Sequence, residues 1–282
     1  MHAPSPSPGI SSGKPAKEKP MSTHPVRKKS QDLSVPKNKA HHPIRIVPLH
    51  PAARAATAAA PHLTYRNGPL LTKVEVFTIF WGKAWQDAAN AVLLKEINDF
   101  FGSILTSSLL DQLSEYSVPD KPIAHGSLLG TITLIDSEPG KILTDTALQS
   151  KLQKEISAGT LPPTNSNTLY FFYLPPGTQV TMPNSASCKD FCGYHDATPA
   201  GVFYAVMPFP GCTGCQGGLA TLDALTSTSS HELCEAITDP IPGQGWYDDS
   251  NGEIGDICAW KTKKIGAYTI QLEWSNAANS CL

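Results

Sequence analysis

Lys73–Phe101, KVEVFTIFWGKAWQDAANAVLLKEINDFF, decides the fold. Lys73–Trp81 is rich in β-branched and aromatic residues and reads as a strand. From Trp85 the period changes. Ala88, Val92, Leu93, Ile97, Phe100 and Phe101 recur at helical spacing, so a helix follows the strand. The same alternation continues outward. Leu128–Ile135 reads as a strand, Asp145–Ile156 as a helix, Thr168–Leu174 as a buried strand and Gly201–Met207 as another. Thr221–Thr238 reads as a helix and Tyr268–Trp274 as a closing strand. Strands interleaved with helices predict one α/β domain over 63–282, with a mixed central sheet flanked by helices. No internal repeat is visible.

Upstream, the character of the chain changes. Residues 1–60 hold ten Lys or Arg against Glu18 and Asp32, a net of +8, so the other 222 residues carry -10 of a total of -2. Ten of the 25 prolines fall there and aromatics are absent, so this stretch lacks the apolar surface to offset its ordering entropy. A disordered basic Pro/Ser/Lys-rich tail over 1–62 is expected. A solvated leader or linker is the plain reading of it, and adhesion to an anionic surface the sharper one. The basic residues lack interleaved aromatics for base stacking, and the domain beyond is acidic, so nucleic acid is not an expected partner. No apolar run approaches the roughly 18 residues of a transmembrane helix. No apolar stretch of the kind found in secretory leaders follows Met1, and Ala52–Ala60 is the nearest approach.

The chemistry concentrates in Thr221–Pro240, TLDALTSTSSHELCEAITDP. On a helix, Leu222, Leu225, Ser229, Leu233 and Ala236 share one face, expected to pack on the sheet. His231, Glu235 and Asp239 lie on the other side, with Thr228 and Glu232. His231 and Glu235 are spaced i, i+4, the ligand geometry of the zincin-like HExxH helix with Glu in place of the second His. Glu232 occupies the position that acts as general base on metal-bound water in that motif. Glu253 follows Glu235 by eighteen residues, where a third ligand is expected, and Asp256 follows as an acid that would orient a ligand. Acidic residues packed this densely, with Asp248 and Asp249 between, repel unless a positive charge sits among them. One divalent metal is therefore expected. Zinc is preferred, and calcium or manganese suits the oxygen-rich set. His195 could supply a second imidazole from a loop. A solvated helix face beside an acidic loop is the bland alternative.

Seven cysteines, Cys188, Cys192, Cys212, Cys215, Cys234, Cys258 and Cys281, all lie in the last 95 residues. Two C-x-x-C-like pairs, Cys188 with Cys192 and Cys212 with Cys215, admit a four-thiolate zinc knuckle or disulfide staples. The irregular spacing and Gly/Pro-rich surroundings favour disulfides. Cys258 with Cys281 would then tie the C-terminus to the site loop, leaving Cys234 as the odd thiol.

Tyr65–Leu71 (YRNGPLL), the strand ending at Trp81-Gly82, the Cys188–His195 block, Cys212–Cys215, Ser230–Leu233 (SHEL) and Glu253–Cys258 (EIGDIC) occur in an order that resembles the EXORDIUM family of phosphate-induced proteins, from about residue 63 to the end. Plant members are extracellular and linked to growth and brassinosteroid response. The compact GWYDDSNGEIGD loop is closer to microbial members. The resemblance implies an extracellular or wall-associated protein with disulfides, and supplies no established activity. Two functions follow as expectations. One is a secreted metal-dependent hydrolase, most simply a zincin-like metallopeptidase acting on a peptide or cell-wall polymer, with His231, Glu235 and Glu253 as ligands. The other is a non-catalytic extracellular binding or signalling module with a structural metal.

Overall fold

The computed structural model describes residues 46–49 and 60–282. In chain order these form β1 (Ile46–Pro48), β2 (Thr64–Tyr65), β3 (Glu75–Trp81), α1 (Ala88–Ile104), α2 (Ser108–Leu113), β4 (Ser127–Leu134), β5 (Ile142–Thr144), α3 (Asp145–Ser157), β6 (Thr168–Tyr173) and β7 (Gln179–Met182). Then follow β8 (Ser185–Ala186), β9 (Phe191–Ala197), β10 (Phe203–Met207), α4 (Thr213–Gln216), α5 (Thr221–Thr238), β11 (Trp246–Tyr247), β12 (Thr262–Ile265), β13 (Tyr268–Gln271), β14 (Trp274–Ser275) and β15 (Ser280–Cys281).

The main sheet has six strands in the order β1-β9-β10-β6-β3-β4. β10, β6, β3 and β4 run parallel, while β9 is antiparallel to β10 and β1 is antiparallel to β9. The expected α/β domain with a mixed central sheet is thus present. β6 shows why the sheet sits centrally, since all six of its residues are buried. Leu169, Phe171 and Tyr173 face a core shared with Phe100 and Phe101 of α1 and Leu225 and Leu233 of α5. Tyr170 and Phe172 face the other way, towards Leu148 and Leu152 of α3. A strand covered on both faces reads as a continuous apolar run rather than an alternating one. Phe80 stacks on Tyr173 at 5.0 Å between centroids, and Phe101 meets Phe171 at 4.8 Å. Each such pair contributes about 0.5–1.5 kcal/mol beyond its burial.

Three parts differ from expectation. The disordered tail assigned to 1–62 lies outside the described residues except at 46–49 and 60–62, and 46–48 are a strand. Trp260 holds that strand by donating its Nε1–H to the Pro48 carbonyl (3.0 Å), from a backbone with φ +67 that a bulky residue seldom adopts. The Cys188–His195 block, read as loop, carries β9. Gly, Cys, His and Asp are poor strand formers, and pairing with both β10 and β1 overrides them. The closing strand belongs to a separate hairpin, β12–β13, and not to the main sheet.

The cysteines form three disulfides, Cys188–Cys212, Cys192–Cys215 and Cys258–Cys281. The first two join β9 and its approach to α4, which removes the four-thiolate knuckle. The third ties the C-terminus to the loop beyond Asp256, as expected, and Cys234 is free and buried. Among the described residues no helix is long and apolar enough to cross a membrane.

The Cys258–Cys281 bridge spans a sequence separation of 23. Replacing Cys281 with Ser should lower stability by about 2–4 kcal/mol. Denaturant unfolding of the variant against the unreduced parent reads this directly.

Candidate metal centre

α5 has no water-facing side from Ala224 to Thr238. Its apolar residues Leu225, Leu233, Ala236 and Ile237 join the main core, as the spacing requires. The polar side, an expected candidate for solvent, is covered by β9, by the hairpin and by the loop from Gly252 to Cys258. His195, His231, Glu232, Glu235, Asp239 and Glu253 are all essentially inaccessible. Ser229, assigned to the apolar face, shares a buried hydrogen bond with the Tyr173 hydroxyl (2.7 Å).

Two glycines make this closeness possible. A Cβ at Gly193 would stand 2.7 Å from Thr228 Cγ2 and 3.2 Å from Glu232 Oε1. A Cβ at Gly255 would stand 2.8 Å from His231 Nδ1. The strand and the loop therefore reach the helix only because these positions have no side chain.

The polar atoms form two groups that share Glu235. His231, Glu235 and Asp256 offer ligand atoms within 4.8 Å of one another, and so do His195, Glu235 and Glu253. The expected set of His231, Glu235 and Glu253 is thus divided. Asp256, expected to orient a ligand, stands among the candidate ligands, where its Oδ2 also accepts the Glu253 N–H (3.2 Å). His195, expected on a loop, reaches the centre from β9.

His195 Nε2 lies 3.1 Å from the Asp239 carbonyl, which can only accept, so Nε2 carries a proton. Nδ1 then faces Glu232 Oε2 at 3.0 Å and Glu235 Oε2 at 3.6 Å. Metal-bound histidines are commonly oriented in this way, by a carbonyl that accepts the N–H on the far side of the ring. His231 Nε2 is 2.9 Å from Glu235 Oε1, yet out of line for a hydrogen bond and without another partner among the described residues. Two ligand atoms that face a common point have this relation. Gln271 Nε2 donates to the Gly255 carbonyl (2.9 Å) and lies 2.7 Å from His231 Nδ1, while its Oε1 accepts the Trp260 N–H (3.1 Å). As placed, this puts the proton of a neutral His231 on Nε2. A metal on Nε2 requires the reverse tautomer and the Gln271 amide turned end for end.

Charges within the centre oppose burial. For His195, burial lowers the pKa, but the hydrogen bond and charge of Glu232, with Glu235, raise it to about 9. Burial likewise lowers that of His231 and Glu235 more than reverses it. Burial raises that of Glu253 well above the carboxylate range, and Glu235, Asp239 and Asp256 add to the effect. Burial also raises the pKa of Glu235, but His231 and His195 outweigh it and hold the carboxyl below its ordinary value. Neither Glu253 oxygen has a hydrogen-bond partner among the described residues, nor has Glu232 Oε1. Buried polar atoms of this kind cost several kcal/mol unless something pairs with them.

Asp239 stays at the edge of the centre, and the remaining acids leave it. Asp239 caps the end of α5 and accepts the N–H groups of Gly243 (2.6 Å), Gln244 (2.9 Å) and Gly245. Asp248 accepts from the His62, Ser250 and Asn251 backbones, and Asp249 pairs with Arg66 at 2.8 Å on the surface. Two neighbours escaped the sequence reading. Gln271 orients His231, and Glu273 is buried with both oxygens unpartnered among the described residues. Their signal was a polar residue at alternate positions of an otherwise apolar strand.

No family model and no curated protein matches the chain. A solved structure described as "Structure of a chaperone-substrate complex" is similar at 13% identity with a TM-score of 0.32, over 68% of this chain and 30% of that one. The chain therefore spans under a third of that structure's length, and the likeness carries no functional argument.

Gly255→Ala should drive a methyl group into the His231 ring. We expect lost metal retention together with a stability loss of about 1–3 kcal/mol, read by elemental analysis and thermal melting.

Proposed function

We propose that this chain is a metal-dependent hydrolase of the zincin-like metallopeptidase kind, extracellular or wall-associated, and a member of the EXORDIUM family. The observation that carries the reading is the HExxE spacing folded into a buried centre, in which Glu235 meets His231, Asp256, His195 and Glu253 while Glu232 stands beside them. The residues fit a divalent ion, because buried carboxylate oxygens and an imidazole nitrogen lack partners there. Imidazole with carboxylates suits zinc first, and manganese or calcium as the oxygen share grows.

When bound, such an ion supplies Lewis acidity and lowers the pKa of coordinated water towards neutrality. The chain's own residues do the rest. His231, Glu235 and Asp256 would hold the ion, with His195 and Glu253 grouped on the other oxygen of Glu235. Glu232, held at Oε2 by His195 Nδ1, presents Oε1 without a partner among the described residues and is placed to take a proton. Asp239 fixes the His195 ring through its carbonyl. Peptide or wall-polymer substrates fit this chemistry. The three disulfides are compatible with export to an oxidising compartment.

Complete burial of the centre favours a second reading, a non-catalytic surface module whose metal is structural, since structural sites are closed and catalytic ones keep an open position. Glu232→Gln separates the two. For a hydrolase, the variant should keep its metal and its fold, and lose hydrolysis of a casein or peptidoglycan panel by about 100-fold or more. Equal turnover by variant and parent defeats the catalytic reading. Chelation should lower the melting temperature under either reading, with about 3 kcal/mol lost when free metal had stood at some hundredfold over its Kd. An unchanged melting temperature removes the metal from both.

A further inference from the structure

We infer that the centre is dinuclear, with Glu235 bridging two divalent cations. This rests on the metal-centre reading above and extends it from one ion to two. The two oxygens of Glu235 address different imidazoles. Oε1 lies 2.9 Å from His231 Nε2, and Oε2 lies 3.6 Å from His195 Nδ1. One helix carboxylate thus stands between two nitrogen ligands that arrive from different elements, α5 itself and β9.

Each side has its own third ligand. Asp256 completes the group around His231, and Glu253 completes the group around His195. Each side also has its own buried polar atom that no hydrogen bond among the described residues satisfies. On the first it is His231 Nε2, and on the second it is Glu253, fully buried and without a hydrogen bond among the described residues, its Oε1 3.5 Å from His195 Nε2. The two imidazoles fall in different groups, so an ion held by either group leaves the buried polar atom of the other unanswered.

The carboxylates divide in the same way, Asp256 on the first side and Glu253 on the second, with Glu235 shared. Both imidazoles must be neutral to ligate. Bridged ions in such pairs stand about 3.5–4 Å apart, a spacing that the two oxygens of one carboxylate span.

The test uses the full chain, with its disulfides formed, stripped by chelator and titrated with zinc alone. Elemental analysis should find about two zinc ions per chain. His195→Gln and His231→Gln should each retain about one, and Glu235→Gln should lose the tight binding of both. Loading with manganese should give a low-temperature electron paramagnetic resonance spectrum with the exchange coupling of a bridged pair. One zinc per chain, or two manganese ions with an uncoupled spectrum, overturns the bridged pair. In the first case the single-metal hydrolase stands. No zinc at all overturns both. Should the histidine variants fail to fold, the stoichiometry and the manganese spectrum of the unmodified chain still decide.

Discussion

Like charges held out of water are the constraint on which this molecule turns. Two unit charges 4 Å apart interact by about 4 kcal/mol at the effective dielectric of a protein surface, and more strongly further inside. Glu232, Glu235 and Glu253 are closed in together, with Asp256 at the margin. Their mutual repulsion and lost hydration would oppose the fold if nothing positive answered them. Imidazolium rings answer in part, since His195 and His231 both hold protons more strongly than a free histidine. The proposed metal ions would answer more fully and would release those protons as they bind.

The architecture exists to enforce that closeness. Four parallel strands supply a rigid floor, and the antiparallel β9 turns His195 towards the helix. α5 is buried from Ala224 to Thr238, about four turns, and residues four apart stand one above the other. The loop from Gly252 to Cys258 closes the third side, and its N–H at Asp256 donates to Glu235 (3.1 Å). A third layer keeps the ligands in place: Gln271 against His231, Asp239 against His195, and Tyr173 against Ser229.

The parts legible in the sequence are those whose signal is local. β3, α1, α3, β6 and α5 follow from periodicity over windows that tertiary contacts did not need to correct, and the i, i+4 spacing of His231 and Glu235 marks the helix face. β9 was opaque because its FCGYHDA sequence has little strand preference. Its conformation is imposed by two neighbouring strands and two disulfides. Asp248 and Asp249 misled because composition shows charge density without direction. In the structure one caps a turn and the other meets Arg66 at the surface. Gln271 at the end of β13 and Glu273 just beyond it carried only a faint alternation, which gains meaning from the helix packed against them.

The two bridges between β9 and α4 staple the strand that bears His195 to the short helix just ahead of α5, and so hold together the two pieces that meet at Glu235. Under the proposed metal centre, thiol oxidation and cation uptake would be linked functions in the thermodynamic sense. Electrons removed from four sulfurs would tighten the grip on the ion, and a bound ion would make those sulfurs harder to reduce.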